Sequence, residues 1–272
     1  MAHLTIRLPK LDLAACAFPL DWLGEDAFRA QVFNALSLSF PIGEKYFIDS
    51  VREALPLISD VELREEIHRF IGQEATHTAL HRTMNARLGA LGLRYVVEPW
   101  VRRRIRAGAA FDKRSKLAIT MAYEHFTAVF GDMTLANPQW LAAAPAPLRS
   151  LWMWHAAEEC EHRGLAFDVY RAAGGGNLRR ILWFVWVSLI FAVDVSVQTT
   201  HNLYRAGHIG SWKVWGPGLR FLFGRGGVMA WLAPAWIAYL RPGFHPRDRG
   251  DETVAQQWLA DNAPLFAERA ST

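Results

Sequence analysis

Cysteine is nearly absent: Cys16 and Cys160 are the only two, far apart and in no C-x-x-C arrangement. Their scarcity argues against a disulfide scaffold and a thiolate zinc site, and fits a reducing compartment. Neither sign of charge dominates. Lys and Arg total 30 against 26 acids, and the net charge of +4 is too small an excess to argue for a nucleic-acid partner. The N-terminal stretch has no charged segment followed by a long apolar run, so no secretory signal is expected. The expected setting is cytoplasmic, with peripheral membrane contact left open. No solenoid repeat and no low-complexity tract occurs. Long apolar runs are equally scarce. Residues 181–193 are apolar apart from Ser188, but Asp194 ends the run short of the ~20 residues that span a bilayer. Pro234 breaks a second run at 228–240.

What is present is a helical chain with a large apolar fraction. Hydrophobic residues make up 51% and charged ones 21% of 272, enough to build a sizeable core and to exclude global disorder. Four segments carry apolar residues three and four apart. The first runs from about 26 to 54 along Phe33, Leu36, Phe40, Glu44, Phe47 and Val51. The second runs from about 60 to 88 along Leu63, Ile67, Phe70, Glu74, His77, His81, Met84 and Leu88. The third, capped by Asp112 or Ser115, follows Leu117, Met121, Glu124, Ala128, Gly131 and Leu135. The fourth begins after Pro147 and follows Leu148, Trp152, His155, Glu159, His162, Ala166 and Val169. Pro56, Gly89 and Gly92, Asn137-Pro138, and the triple glycine 174–176 separate them. Short links 1–2 and 3–4, with a longer passage between, predict an all-α, ferritin-like four-helix bundle with one crossover. Pro41 and Gly43 predict a kink or irregular turn just before Glu44.

Composition shifts after the triple glycine. Seven of the twelve tryptophans follow residue 177, and only Asp194 is acidic among the seven charged residues of 178–240. The expected organisation is one domain over 1–272, with a metal-binding bundle at 26–173 and an apolar, Trp-rich helical extension at 178–272. That extension is a lid packed on the bundle, a hairpin that dips into lipid or, ranked last, a double membrane span. Asp194, Gln198 and His201 follow the first run at helical spacing, a polar line suited to bonding the bundle, so the lid is favoured.

One anomaly carries chemistry. Each helical line has a glutamate in the middle of its apolar stripe: Glu44, Glu74, Glu124 and Glu159. Burying four carboxylates together is prohibitive without cations. Two of the helices place a histidine three residues later, in Glu74-Ala-Thr-His77 and Glu159-Cys-Glu-His162, on the same helix face. One Glu from each of two helices plus Glu-x-x-His from each of the other two is the ligand set of di-iron and di-manganese carboxylate bundles. Spacing agrees. The midpoint of Glu44 and Glu74 is residue 59, and that of Glu124 and Glu159 falls at 141–142, both inside links, so each pair reaches one height in its hairpin.

At these residues the chain also resembles a known family. FNALSLSFPIGEKYFIDSVR, RFIGQEATHTALH, AYEHFT, LWMWHAAEECEHRGLAFDVY and RPGFHP are similar to a bacterial family labelled "predicted metal-dependent hydrolase", over nearly the whole chain. The resemblance implies a ferritin-like metal-binding bundle.

The expected cofactor is two metal ions, iron first, with manganese or zinc as alternatives. Glu44, Glu74 and His77 are expected to hold one ion, and Glu124, Glu159 and His162 the other. The favoured chemistry is oxygen activation by an oxidase or monooxygenase acting on a hydrophobic small molecule. The alternative is hydrolysis, in which the metal pair lowers the pKa of a bridging water. A ferroxidase or iron-binding role ranks lower. His81 and His155, one turn beyond His77 and one turn before Glu159, are expected to hydrogen-bond to ligands or to add a further one. Glu158 and Glu161 read as solvated or as supports, His125 as packing or surface, and Cys160 as a small buried residue. The basic cluster from Arg102 to Lys116 reads as a solvated face, with an anionic membrane or acidic carrier as the other option. Phe33, Phe40, Phe47 and Trp152 read as core that also suits the wall of a substrate channel. An electron-donor protein and a homodimer complete the expected partners.

Overall fold

The computed structural model describes residues 4–250 and 252–268. Helix α1 (Ala27–Ala54) and helix α2 (Val61–Ala90) form one hairpin. A short helix, α3 (Glu98–Ala107), lies on the crossover to α4 (Lys113–Ala136), which pairs with α5 (Ala146–His162). Side-chain caps start the helices where the sequence places them. Asp26 accepts from Arg29 N–H at 3.1 Å, Asp60 from Leu63 N–H at 3.2 Å, and Asp112, rather than Ser115, from Ser115 N–H at 2.9 Å. Among the described residues the protein is all-α apart from a two-stranded pairing of β1 (Arg7–Pro9) with β2 (Phe266–Glu268), in which Leu8 faces Ala267. That pairing was not legible in the sequence. It pins Arg7 against the bundle.

Two expectations are corrected: the single fourth helix and, of the kink or irregular turn at Pro41, the irregular turn. The fourth segment is two helices, α5 and α6 (Leu165–Ala172), parted at Arg163-Gly164, where glycine is a poor helix former. No irregular turn interrupts α1, which runs through Pro41. Proline has no N–H to give the carbonyl four residues earlier, here that of Ser37. Asn85 of α2 supplies the missing donor, its Nδ2 lying 2.8 Å from Ser37 O. The helix therefore continues with its freed carbonyl satisfied from a neighbour.

Helices α1 and α2 pack together, as do α4 and α5, and the two hairpins meet through α1 against α4 and α2 against α5. A Cβ at Gly131 would meet Ala156 O, so this bare position lets α4 approach α5 closely. Two apolar clusters fill the interior. One gathers Phe33, Leu36, Met84, Leu88, Leu151 and Trp152, and the other Phe47, Val51, Ile67, Phe70, Leu117 and Met121. In sequence, Glu44 and Glu74 fall between these two sets.

The C-terminal extension begins with α7 (Asn177–Arg205), followed by α8 (Trp212–Phe223), α9 (Val228–Tyr239) and α10 (Glu252–Asp261). Helix α7 covers α1 and α4 with a buried line that includes Phe184, Val187, Gln198 and Asn202. Its polar bonds are those of a lid. Gln198 accepts from Val96 N–H at 2.9 Å and donates to Arg94 O at 2.8 Å, and Asp194 pairs with Arg104. Asn202, next to the expected His201, donates to Gln31 O at 3.2 Å. The opposite face is uncovered: Leu178, Leu182, Leu189 and Val193 are each about 60% exposed or more. By length and composition α7 and the stretch Trp212–Tyr239 could each cross a membrane.

Candidate metal centre

Helices α2 and α5 run antiparallel, which sets three facing levels: His81 with His155, His77 with Glu158 and Glu159, and Gln73 and Glu74 with His162. Helix α1 brings Glu44 to the middle level, where Thr78 Oγ1 donates to its Oε2 at 2.7 Å. Helix α4 brings Glu124, whose Oε2 lies 3.7 Å from His162 Nδ1. All eight residues named from the sequence, the four glutamates with His77, His81, His155 and His162, are buried.

Glu159 Oε1 is the hub. It lies 2.8 Å from His155 Nε2, 3.5 Å from His77 Nδ1 and 4.0 Å from His162 Nδ1. Two groups offer converging ligand atoms, each set within 4.8 Å of one another: Glu44, His77 and His155, and Glu74, Glu159 and His162. This partition differs from the expected one, which joined Glu74 to His77. Three residues apart on α2, those two side chains meet different levels of α5, so Glu74 sits with His162 and His77 with His155. His155 thus belongs to a candidate ligand group, whereas His81 stands behind it.

Each inward imidazole is held by its outer nitrogen, as metal-binding histidines are. Gln73 Nε2 donates to Thr5 O (3.0 Å) and Glu161 Oε2 (3.1 Å), so its Oε1 accepts from His162 Nε2–H at 2.9 Å. Glu158 Oε2 accepts from His77 Nε2–H at 3.0 Å, and its other oxygen takes Arg7 at 3.0 Å. The arrangement is crosswise: the residue just before each motif glutamate holds the histidine of the opposite motif. The third chain begins at Pro41. Because Asn85 Nδ2 serves Ser37 O, Asn85 Oδ1 accepts from Ser37 Oγ–H at 2.7 Å. The only hydroxyl proton of Ser37 is thereby used, so His81 Nδ1–H donates to Ser37 Oγ at 2.8 Å. His81 Nε2 then accepts from His155 Nδ1–H at 2.6 Å, and His155 Nε2 turns to Glu159 Oε1 at 2.8 Å.

The electrostatics ask for cations. Glu44 Oε1, both oxygens of Glu74 and Glu124, Glu159 Oε2, His77 Nδ1 and His162 Nδ1 are buried with no hydrogen-bond partner. His162 Nδ1 lies 2.9 Å from Glu74 Oε1, yet the two are not aligned as a hydrogen bond. Burial, then neighbouring carboxylates, pushes Glu44, Glu74 and Glu124 well above the usual carboxylate range. Glu159 is the exception. Burial pushes it up, but the His155 hydrogen bond and the imidazoles of His155 and His162 hold it below its ordinary value. Burial, followed by the other imidazoles, holds His77 well down. Metal ions fit this donor set. Two atoms each ~2.1 Å from one ion and at right angles lie ~3 Å apart, close to the 2.8 and 2.9 Å of His155–Glu159 and His162–Glu74.

Residues 5–250 match the family described as "predicted metal-dependent hydrolase". The chain belongs to this family. No curated protein and no solved structure matches it. A metal-dependent hydrolase description, set beside two groups able to hold ions, backs the hydrolytic alternative better than the oxygen-activating reading. Nothing in either finding selects iron.

Sequence reasoning missed Gln73, Thr78, Arg7, Ser37 and Asn85, and left Glu158 undecided. A signal for two of them was present. Gln73-Glu74-x-x-His77 and Glu158-Glu159-x-x-His162 share a polar residue at the same offset, one that an exposed helix face does not require.

Proposed function

We propose that this protein is a dinuclear metal-dependent hydrolase built on a ferritin-like bundle. Glu44, His77 and His155 would hold one ion, and Glu74, Glu124, Glu159 and His162 the other, with Glu159 between them. The observation that carries the reading is the set of buried, unpartnered carboxylate and imidazole atoms pointing into one space. When bound, the ions would lower the pKa of a water and polarise the substrate's acyl or phosphoryl oxygen. The chain's own part is to orient and to exclude water. Gln73, Glu158 and His81 fix three imidazole planes, Thr78 fixes Glu44, and Phe40 and Trp152 pack on His81 and His155 with centroids 4.7–6.4 Å apart. In ester hydrolysis the water oxygen bonds to the carbonyl carbon, the ester C–O bond breaks, and the leaving alkoxide takes the water's proton. No oxidant is consumed, so this reading needs no electron-donor protein.

The test is metal replacement with two readouts. Metal-free protein is loaded separately with manganese, zinc and, without air, ferrous iron, then assayed on nitrophenyl esters and phosphoesters and for oxygen uptake on exposure to air. Metal-dependent turnover of an ester or phosphoester, lost in Glu74→Ala, is the expected result. Rapid oxygen uptake by the iron form with no hydrolysis by any form would restore the oxygen-activating reading instead.

A further inference from the structure

An apolar groove of about 660 Å³ lies between α1, α3, α4 and α7. Tyr46, Phe111, Ile119, Trp183 and Val187 form its walls, and Arg104 is the only Asp, Glu, Lys or Arg along it. That guanidinium is neutralised by Asp194. The mouth lies beside Leu182 and Trp186 of α7, which are 61% and 52% exposed. An apolar groove of this size matches the space taken by a drug-sized ligand.

The groove does not end at its floor. A second chamber, of about 70 Å³, shares Gly43, Phe47, Val101 and Tyr123 with it and is lined further in by Phe40, Thr127 and Glu44. Glu44 is the only carboxylate of that chamber not paired with an arginine, and it belongs to one of the two candidate ligand groups. A wide apolar outer groove feeding a narrow inner chamber with a metal ligand at its end selects a slim amphiphile. The inner space, about a tenth of the outer one, suits a carbonyl-sized head better than a ring system. Gly43 stands where the two spaces join. A Cβ there would meet only Phe47 Cζ, at 3.9 Å, so packing does not demand the glycine, and its bare backbone leaves the neck open.

We propose that the groove binds the hydrocarbon chain of a long-chain acyl ester and passes the acyl head beyond Gly43 to Glu44. The identity of the head rests on the hydrolase reading, whereas the chain-binding groove stands on its own geometry. The test uses the manganese-loaded protein and sodium laurate, a product-like probe that cannot be hydrolysed, with butyrate as the short control. Binding is followed by calorimetry and by the fluorescence of Trp183 and Trp186. Laurate should bind at least about tenfold more tightly than butyrate, because its additional methylenes are buried. Gly43→Leu, which fills the neck, and Ile105→Trp, which narrows the outer groove from α3, should each lower laurate affinity about tenfold or more while keeping the wild-type metal content. Laurate binding no tighter than butyrate, or unaltered in both variants, overturns the proposal. Tight, variant-sensitive laurate binding without hydrolysis of any ester or phosphoester upholds the groove and removes the hydrolase reading. Hydrolysis of nitrophenyl acetate without laurate binding does the reverse.

Discussion

His81 shows how one side chain can matter without touching the reacting atoms. Its Nε2 fixes the Nδ1–H tautomer of His155, and Ser37 and Asn85 fix its own. His81→Ala should therefore keep both ions but weaken affinity by roughly 10–100-fold, the usual cost of removing a partner behind a ligand. Titration with a metallochromic competitor measures it. Complete loss of one ion would make His81 a ligand itself. The stripe residues Glu44, Glu74, Glu124, Glu159, His77 and His162 were legible because a charge inside an apolar period is costly enough to signal a purpose. His155 was half legible, since spacing places it one turn from Glu159 but cannot say which nitrogen faces inward. Gln73 and Glu158 were marked only by their shared offset before each motif glutamate, and their roles were not legible, because their partners lie on another helix and only the pairing of α2 with α5 brings them together.

Among the elements, the long helices and their caps follow from periodicity and from Asp26, Asp60 and Asp112. The outcome at Pro41 does not follow, because the donor that rescues Ser37 O comes from α2, 48 positions away in the chain. Helix α7 divides its two faces between two expectations. Its inward line bonds the bundle as a lid does, and its outward row of Leu178, Leu182, Leu189 and Val193 is uncovered. An uncovered apolar row on a helix that ends at exposed Arg205, with exposed Lys213 following, has the composition of a surface that meets anionic lipid. Leu182→Glu with Leu189→Glu should leave the helix content unchanged, because both side chains face solvent. Wild-type protein should co-float with anionic liposomes and the double variant should not. Failure of the wild type to float would leave α7 a lid alone.

For the whole molecule, one domain over 1–272 is our reading, resting on the packing of α7 against α1 and α4. Such a molecule should unfold in one transition, and that transition should report the state of the centre. Carboxyls whose folded pKa is raised stabilise the metal-free protein fully below their unfolded value of ~4.3, and lose that contribution as pH rises through the folded value. Glu44, Glu74 and Glu124 are raised well up, and burial, partly opposed by Arg7, pushes Glu158 up to about 8. His77 and His81, held down by burial, work the other way only while pH falls through their unfolded value near ~6.5. Between about pH 6.5 and 8.5 the melting temperature of the metal-free protein should therefore fall, and bound metal should remove that fall by replacing the protons. Scanning fluorimetry with chelator and with manganese checks it. A metal-free melting temperature that rises over this window would contradict the assignment.

The most direct measurement is the metal content of wild-type protein and of Glu159→Ala, after equilibrium dialysis against manganese, by elemental analysis. Glu159 Oε1 lies within 4.0 Å of three inward imidazole nitrogens, drawn from both candidate groups, so in our reading both ions depend on it. The account predicts two ions per wild-type chain and a clear loss in the variant, with helix content largely kept. Wild-type protein that takes up no manganese, or a variant that keeps two ions, would contradict it.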